Sequence, residues 1–267
     1  MLKISRNIGL LIFSILIFSS CSEYQKLLKS TDYELKLEKA NEYYQDEDYY
    51  RAQALYEELL SIYKGTDKAE KAYYYYTFCY YNQKDYILAG YHFKNFMSTY
   101  PNSEHAEECD FLSAYCFYLE SPYPDLDQTN TSKAIDALQI FINKYPKSDR
   151  VSEANKLIDE LLFKLETKSF NNAKLYYNLG EFKSSVIALK NTLKDYPDTQ
   201  YREELLFLIL KSNFLLAENS VETKKNERYQ ATVNEYYTLI DEYPNSKNIK
   251  EAEKIYNNSI KKIKQAK

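Results

Sequence analysis

Few side chains in this 267-residue chain have the type and spacing that bond-making chemistry needs. There are two histidines, His92 and His105, and neither stands at a metal-ligand spacing from another His or Cys. The adjacent acids Glu57–Glu58 and Glu107–Glu108 point in different directions on a helix, so neither pair makes an acid/base couple. No glycine loop is present to cradle phosphate, and no Gly-x-Ser-x-Gly elbow to present a nucleophile. The chain therefore reads as a non-enzyme with no cofactor and no metal. Three of the four cysteines, Cys79, Cys109 and Cys116, fall within helical stretches. Cys109 and Cys116 are seven residues apart on one predicted helix, which sets them roughly 10 Å apart, too far for a disulfide. All three read as small buried hydrophobes.

Cys21 has a different chemistry. It ends "MLKISRNIGLLIFSILIFSSC", in which Lys3 and Arg6 precede an apolar run from Ile8 to Phe18 and two serines. The run is shorter than the ~20 residues of a membrane span, so 1–20 reads as a signal peptide. "FSSC" resembles a bacterial lipobox, with Phe18 at the place usually held by Leu. That resemblance implies cleavage before Cys21, acylation of its thiol, and a lipidated tether over 21–31. Several acyl chains on one residue hold a protein firmly on a membrane, since each buried CH₂ contributes about 0.8 kcal/mol. By the same resemblance, Ser22 in place of Asp favours the outer membrane.

The elements that would carry any site follow from a repeat. "YPNS" stands at 100–103 and 243–246, with "YPKS" at Tyr145 and "YPDT" at Tyr196. Eleven residues before Tyr63, Tyr100, Tyr145, Tyr196 and Tyr243 stand Ala52, Ala89, Ala134, Ser185 and Thr232, all small. Seven before stand Tyr56, Phe93, Leu138, Leu189 and Tyr236; four before stand Leu59, Phe96, Phe141, Thr192 and Leu239. These offsets mark one face of a helix. The small residue admits a neighbouring helix, the proline stops the helix, and Ser103, Ser148, Thr199 and Ser246 are expected to cap the next helix. Helices are expected at about 32–45, 48–63, 67–82, 85–100, 103–120, 130–145, 149–178, 181–196, 200–219 and 226–243, with a more polar one from 247. Only 4 glycines and 6 prolines occur, too few for most sheet folds of this length. The net charge of −4, with both signs mixed along the chain, argues against nucleic acid as a partner.

Tyr73, Tyr76, Thr77, Tyr80, Ala89, Phe93, Phe96 and Pro101 match the tetratricopeptide (TPR) pattern, with Tyr in place of the usual Trp. The expected fold is an all-α TPR solenoid of about five helix-turn-helix repeats. Repeats one to three would fill 32–148; repeats four and five and a capping helix would fill 149–267. "ESPYPDLDQTN" and "AENSVETKKNER" read as insertions. The composition is unusual in its 30 tyrosines and no tryptophan. Tyr73, Tyr74, Tyr76, Tyr80 and Tyr81 are the densest group and the candidate peptide-binding groove. Tyrosine joins a large apolar ring to a hydrogen-bonding tip, which suits protein recognition. Some of these rings must pack between repeats, while Tyr74 and Tyr81 are expected to face the groove.

The lipobox at Cys21, "DLDQTNTSKAIDALQIFINKYPKS" and "YYNLGEFKSSVIALKNTLKDYPDT" together resemble the BamD family of assembly lipoproteins. The resemblance covers residues 21 to about 260. It implies a non-enzymatic scaffold on the periplasmic side of the outer membrane. Its implied partners are the BamA-like barrel insertase, unfolded outer-membrane protein precursors, other lipoproteins of the BAM complex, and the membrane through the N-terminal lipid. Precursor segments would lie in the N-terminal repeats and the insertase would dock on the C-terminal ones. Two alternatives stand: a periplasmic TPR lipoprotein coordinating cell-envelope synthesis, and a SusD-like glycan-binding lipoprotein.

Overall fold

The computed structural model describes residues 23–265; the leader 1–20 and Cys21 lie outside them. Among the described residues there are helices and no strand, so the chain is all-α. A helical turn at 23–28 comes first. The helices are α1 (Tyr33–Gln45), α2 (Tyr49–Ile62), α3 (Asp67–Asn82), α4 (Tyr86–Thr99), α5 (Ala106–Leu119), α6 (Thr129–Lys144), α7 (Val151–Asn178), α8 (Phe182–Asp195), α9 (Arg202–Glu218), α10 (Glu222–Glu242) and α11 (Ile249–Gln265). These bounds lie within a few residues of expectation. α10 differs most, beginning at Glu222. The "AENSVETKKNER" segment is therefore only partly a loop: no breaker follows Val221, and Lys225 pairs with Glu222 at 3.0 Å across the first turn.

Two compact units form. One holds the described residues to Ser121 together with Asn130–Ile158; the other holds Pro122–Thr129 and the residues from Asp159 on. In the first, Ala52, Ala89 and Ala134 are fully buried, as are Tyr56, Phe93, Leu138, Leu59, Phe96 and Phe141 behind them. In the second, Ser185, Leu189, Thr192, Thr232 and Leu239 play those parts. A hydroxyl at the small position needs a partner when buried, and Ser185 has one in Ser212 at 3.0 Å. Tyr236 is the half-buried exception, stacked on Tyr256 of α11 with centroids 4.5 Å apart.

The tetrapeptides do their work through the backbone. Each tyrosine N–H closes its helix on the carbonyl four residues back: Tyr100 on Phe96 at 2.8 Å, Tyr145 on Phe141 at 2.9 Å, Tyr196 on Thr192 at 2.9 Å, Tyr243 on Leu239 at 2.8 Å. The Ser or Thr three residues on then donates its N–H back to the tyrosine carbonyl, at 3.0 to 3.2 Å. That is a β-turn with proline at its second position. The hydroxyls cap this turn rather than the helix itself. Ser103 accepts from His105 N–H, Ser148 from Arg150, Thr199 from Tyr201 and Ser246 from Asn248, all at 3.0 to 3.1 Å. The helix proper starts a residue later in each case, because a bond two residues on is the short turn of Ser and Thr. In the first copy Gly65 takes the proline's role at φ +83°, and the Thr66 hydroxyl donates to the Tyr63 carbonyl at 2.7 Å.

The turns within the first, second and fourth helix pairs are a second repeated device. Glu47, Lys84 and Gly180 all sit five residues before the small position, and all have positive φ. The following N–H reaches back five residues: Asp48 to Tyr43 at 2.8 Å, Asp85 to Tyr80 at 3.0 Å, Glu181 to Tyr176 at 3.0 Å. This is the left-handed helix end that glycine favours. Asp48 and Asp85 then cap the next helix, accepting from Arg51 at 3.2 Å and Leu88 at 3.1 Å.

Candidate functional site

α3 brings the five candidate tyrosines to two different sides. Tyr73, Tyr76 and Tyr80 recur at i, i+3 and i+7 and meet α4. Tyr76 is buried at 5% exposure, its hydroxyl 3.1 Å from that of Tyr80. His92 of α4 lies among them, stacked on Tyr80 at 4.9 Å and edge-on to Tyr76 at 5.0 Å and to Tyr73 at 6.1 Å. Tyr73 also packs on Phe96 at 5.9 Å, and burial pushes its hydroxyl up to about 12. Burial first, and Tyr80 next, raise the hydroxyl of Tyr76. The His92 Nδ1 is buried without a partner, and burial holds the ring below its ordinary range. On this side Tyr76 is buried between α3 and α4, and Tyr73 and Tyr80 are half-buried around His92.

Tyr74 and Tyr81 point to the other side, with Phe78 between them. There the rings run on from helix to helix, all half-buried. Tyr44 of α1 meets Tyr75 at 4.9 Å, Tyr75 meets Tyr74 at 5.5 Å, and Tyr74 meets Phe78 at 4.7 Å. Phe78 leads to Tyr81 at 6.2 Å, and on α5 Tyr115 stacks with Tyr118 at 5.4 Å. Burial raises the Tyr81 hydroxyl, Tyr115 and Cys116 add to this, and Arg150 opposes it.

Charged and hydrogen-bonding groups hold the ladder in place. The Tyr74 hydroxyl donates to Glu108 at 2.8 Å while its ring stacks on His105 at 4.1 Å. Arg150 faces the other Glu108 oxygen at 3.6 Å and lies 4.7 Å above the Phe111 ring. The Tyr74 hydroxyl is raised by burial and then by that carboxylate. Beside the ladder's middle rings lies a cleft of about 570 Å³, walled by Tyr74, Tyr75, His105, Lys71 and the acids Asp67, Glu70 and Glu104. A row of flat rings with fixed hydroxyls and acids beside it suits an extended, apolar and partly basic polypeptide.

Tyr44, Tyr75, Phe78, Tyr115 and Tyr118 were not among the sequence candidates. A signal existed for Tyr44: it stands eight residues before Ala52, as Tyr81 stands eight before Ala89. Cys79, Cys109 and Cys116 are buried and free, and burial pushes each thiol up to about 12. Among the described residues no group of His, Cys, Asp and Glu is placed to hold a metal, and no helix is long and apolar enough to cross a membrane.

The family YfiO, described as outer membrane lipoprotein, matches residues 32–228, about three quarters of the chain. The chain belongs to this family. Membership makes it an outer membrane lipoprotein of BamD-like type. Among solved structures it is similar to the TPR2AB domain of yeast Sti1 in its pHSP90 complex, at 11% identity and a TM-score of 0.39, over 85% of this chain and 98% of that one. No curated protein matches at a significant level.

Proposed function

We propose that this lipoprotein is a non-enzymatic scaffold of outer-membrane β-barrel assembly, held by acylated Cys21 and facing the periplasm. In this reading the ladder from Tyr44 to Tyr118 receives unfolded barrel precursors, whose strands alternate apolar and polar residues. The second unit docks a BamA-like insertase, for which Leu175, Tyr176, Leu179 and Ile187 offer exposed apolar contacts. The single observation that supports it most is the row of half-buried rings from Tyr44 to Tyr81, with the Tyr115–Tyr118 stack on α5, in a member of an outer membrane lipoprotein family. Anchoring raises local concentration, so a modest site suffices.

Affinity capture from detergent-solubilised membranes tests it. A BamA-like barrel co-purifying with the chain, and other lipoproteins with it, is the expected result. Capture of a glycan transporter or of cell-wall enzymes in its place supports one of the alternatives and overturns this reading. Cys21→Ala is expected to move the protein from the membrane to the soluble fraction.

A further inference from the structure

The segment that joins the anchor to the repeats is not a loose leash. In the turn at 23–28, Tyr24, Leu27 and Leu28 recur at i, i+3 and i+4 and pack on the core of α1, α2 and α3. Tyr24 meets Tyr43 edge-on at 5.7 Å, and the Arg51 guanidinium lies 5.4 Å from one ring and 5.5 Å from the other. Beneath the turn is Lys36, a lysine with no solvent exposure at all. Its ammonium donates to the Leu28 carbonyl at 2.9 Å and to both oxygens of Glu58, at 2.7 and 2.6 Å. A buried charge is retained only where every donor finds a partner. Here its partners are the last carbonyl of the turn and a carboxylate of α2, so it joins the entry segment to the first hairpin.

We infer that residues 23–30 are a rigid stand that holds one side of the first hairpin against the lipid headgroups. The inference rests on acylation of Cys21, as proposed above. Cys21 is two residues from Glu23, a reach of about 7 Å at full extension. That is no more than the thickness of a headgroup layer, roughly 5–8 Å. Glu23, Lys26 and Leu27 form one wall of a groove of about 490 Å³ whose other wall is Leu35, Lys39 and Glu42 of α1. Lys26 and Lys29 are exposed. They are placed to meet headgroup phosphates. A chain on a leash would let the repeats tumble; a stand presents them in one orientation.

The test uses the full acylated chain on vesicles of phosphatidylethanolamine and phosphatidylglycerol, with a nitroxide quencher on some headgroups. A fluorophore is placed on Glu42→Cys; the three buried thiols, pushed up to about 12, do not compete for the label. The expected result is strong quenching that falls several-fold in Lys36→Met. It is expected to fall equally when a Gly-Ser linker of about ten residues, with a reach near 17 Å, is placed before Glu23. The linker variant leaves the core intact and keeps the test sound if Lys36→Met folds poorly. Flotation with vesicles is measured in parallel. A chain that does not float overturns the lipid anchor and this inference with it. A chain that floats with a label that is not quenched, or with quenching unchanged by the linker, overturns the stand alone.

Discussion

The two sides of α3 are built from the same residue and behave differently. Tyr73, Tyr76 and Tyr80 close around His92 and serve the packing of α3 on α4. Tyr74, Tyr75 and Tyr81 join Tyr44 and Phe78 in a row that crosses from one helix pair toward the next. What separates them is the angle around the helix. A ring at i+3 or i+7 from Tyr73 gathers around His92 of α4, whereas the rings at i+4 and i+7 from Tyr74 meet Phe93 of α4 and continue the row. Tyrosine content alone therefore says little about recognition. The neighbour each hydroxyl finds says more: Tyr76 bonds another tyrosine, whereas Tyr74 bonds a carboxylate shared with Arg150.

If that division is right, the packing side should carry the larger stability effects. Tyr76→Ala removes a buried ring and should lower unfolding free energy by about 3 kcal/mol, read by chemical denaturation. Ala89→Leu, at the fully buried contact point of α4, should cost roughly 1–3 kcal/mol by overpacking, seen as a lower Tm. Tyr74→Phe keeps the ring and loses one hydrogen bond to Glu108, so about 1 kcal/mol is expected. Equal losses at Tyr76 and Tyr74 would erase the distinction between the sides.

The smallest effect is one of pH. Burial lowers the His92 pKa in the folded chain below its ordinary 6.5. Between the two values the unfolded chain binds more protons, so stability falls as pH drops below about 6.5 and is whole above it. Denaturation midpoints measured from pH 7 to pH 5 should fall less in His92→Phe than in the parent. An identical slope in both would place the pH dependence elsewhere.

Much of the fold was legible because one physical rule repeats. A small residue at the closest approach and large residues at fixed offsets give burial that any helical wheel can count, and Ala52, Phe93 and Leu138 lie where that rule puts them. The turns between paired helices were not read, since Glu47 and Lys84 carry left-handed backbone that their residue types do not announce. The site was half legible. The tyrosine-rich stretch of α3 marked the region. Its continuation to Tyr115 and Tyr118 depends on which faces of α3 and α5 come together, which spacing inside one helix does not encode. Lys36 gave no signal: a lysine in a polar helix reads as surface until Leu28 and Glu58 are seen closing over it.

The most direct test of the account is a binding titration of an unfolded barrel precursor against the acylated chain and a Tyr74→Ala/Tyr81→Ala/Tyr115→Ala variant, alongside His92→Phe. The account predicts at least about tenfold weaker binding for the triple variant, equivalent to about 1.4 kcal/mol, and unchanged binding for His92→Phe. Unaltered affinity in the triple variant, with its fold intact, would contradict it.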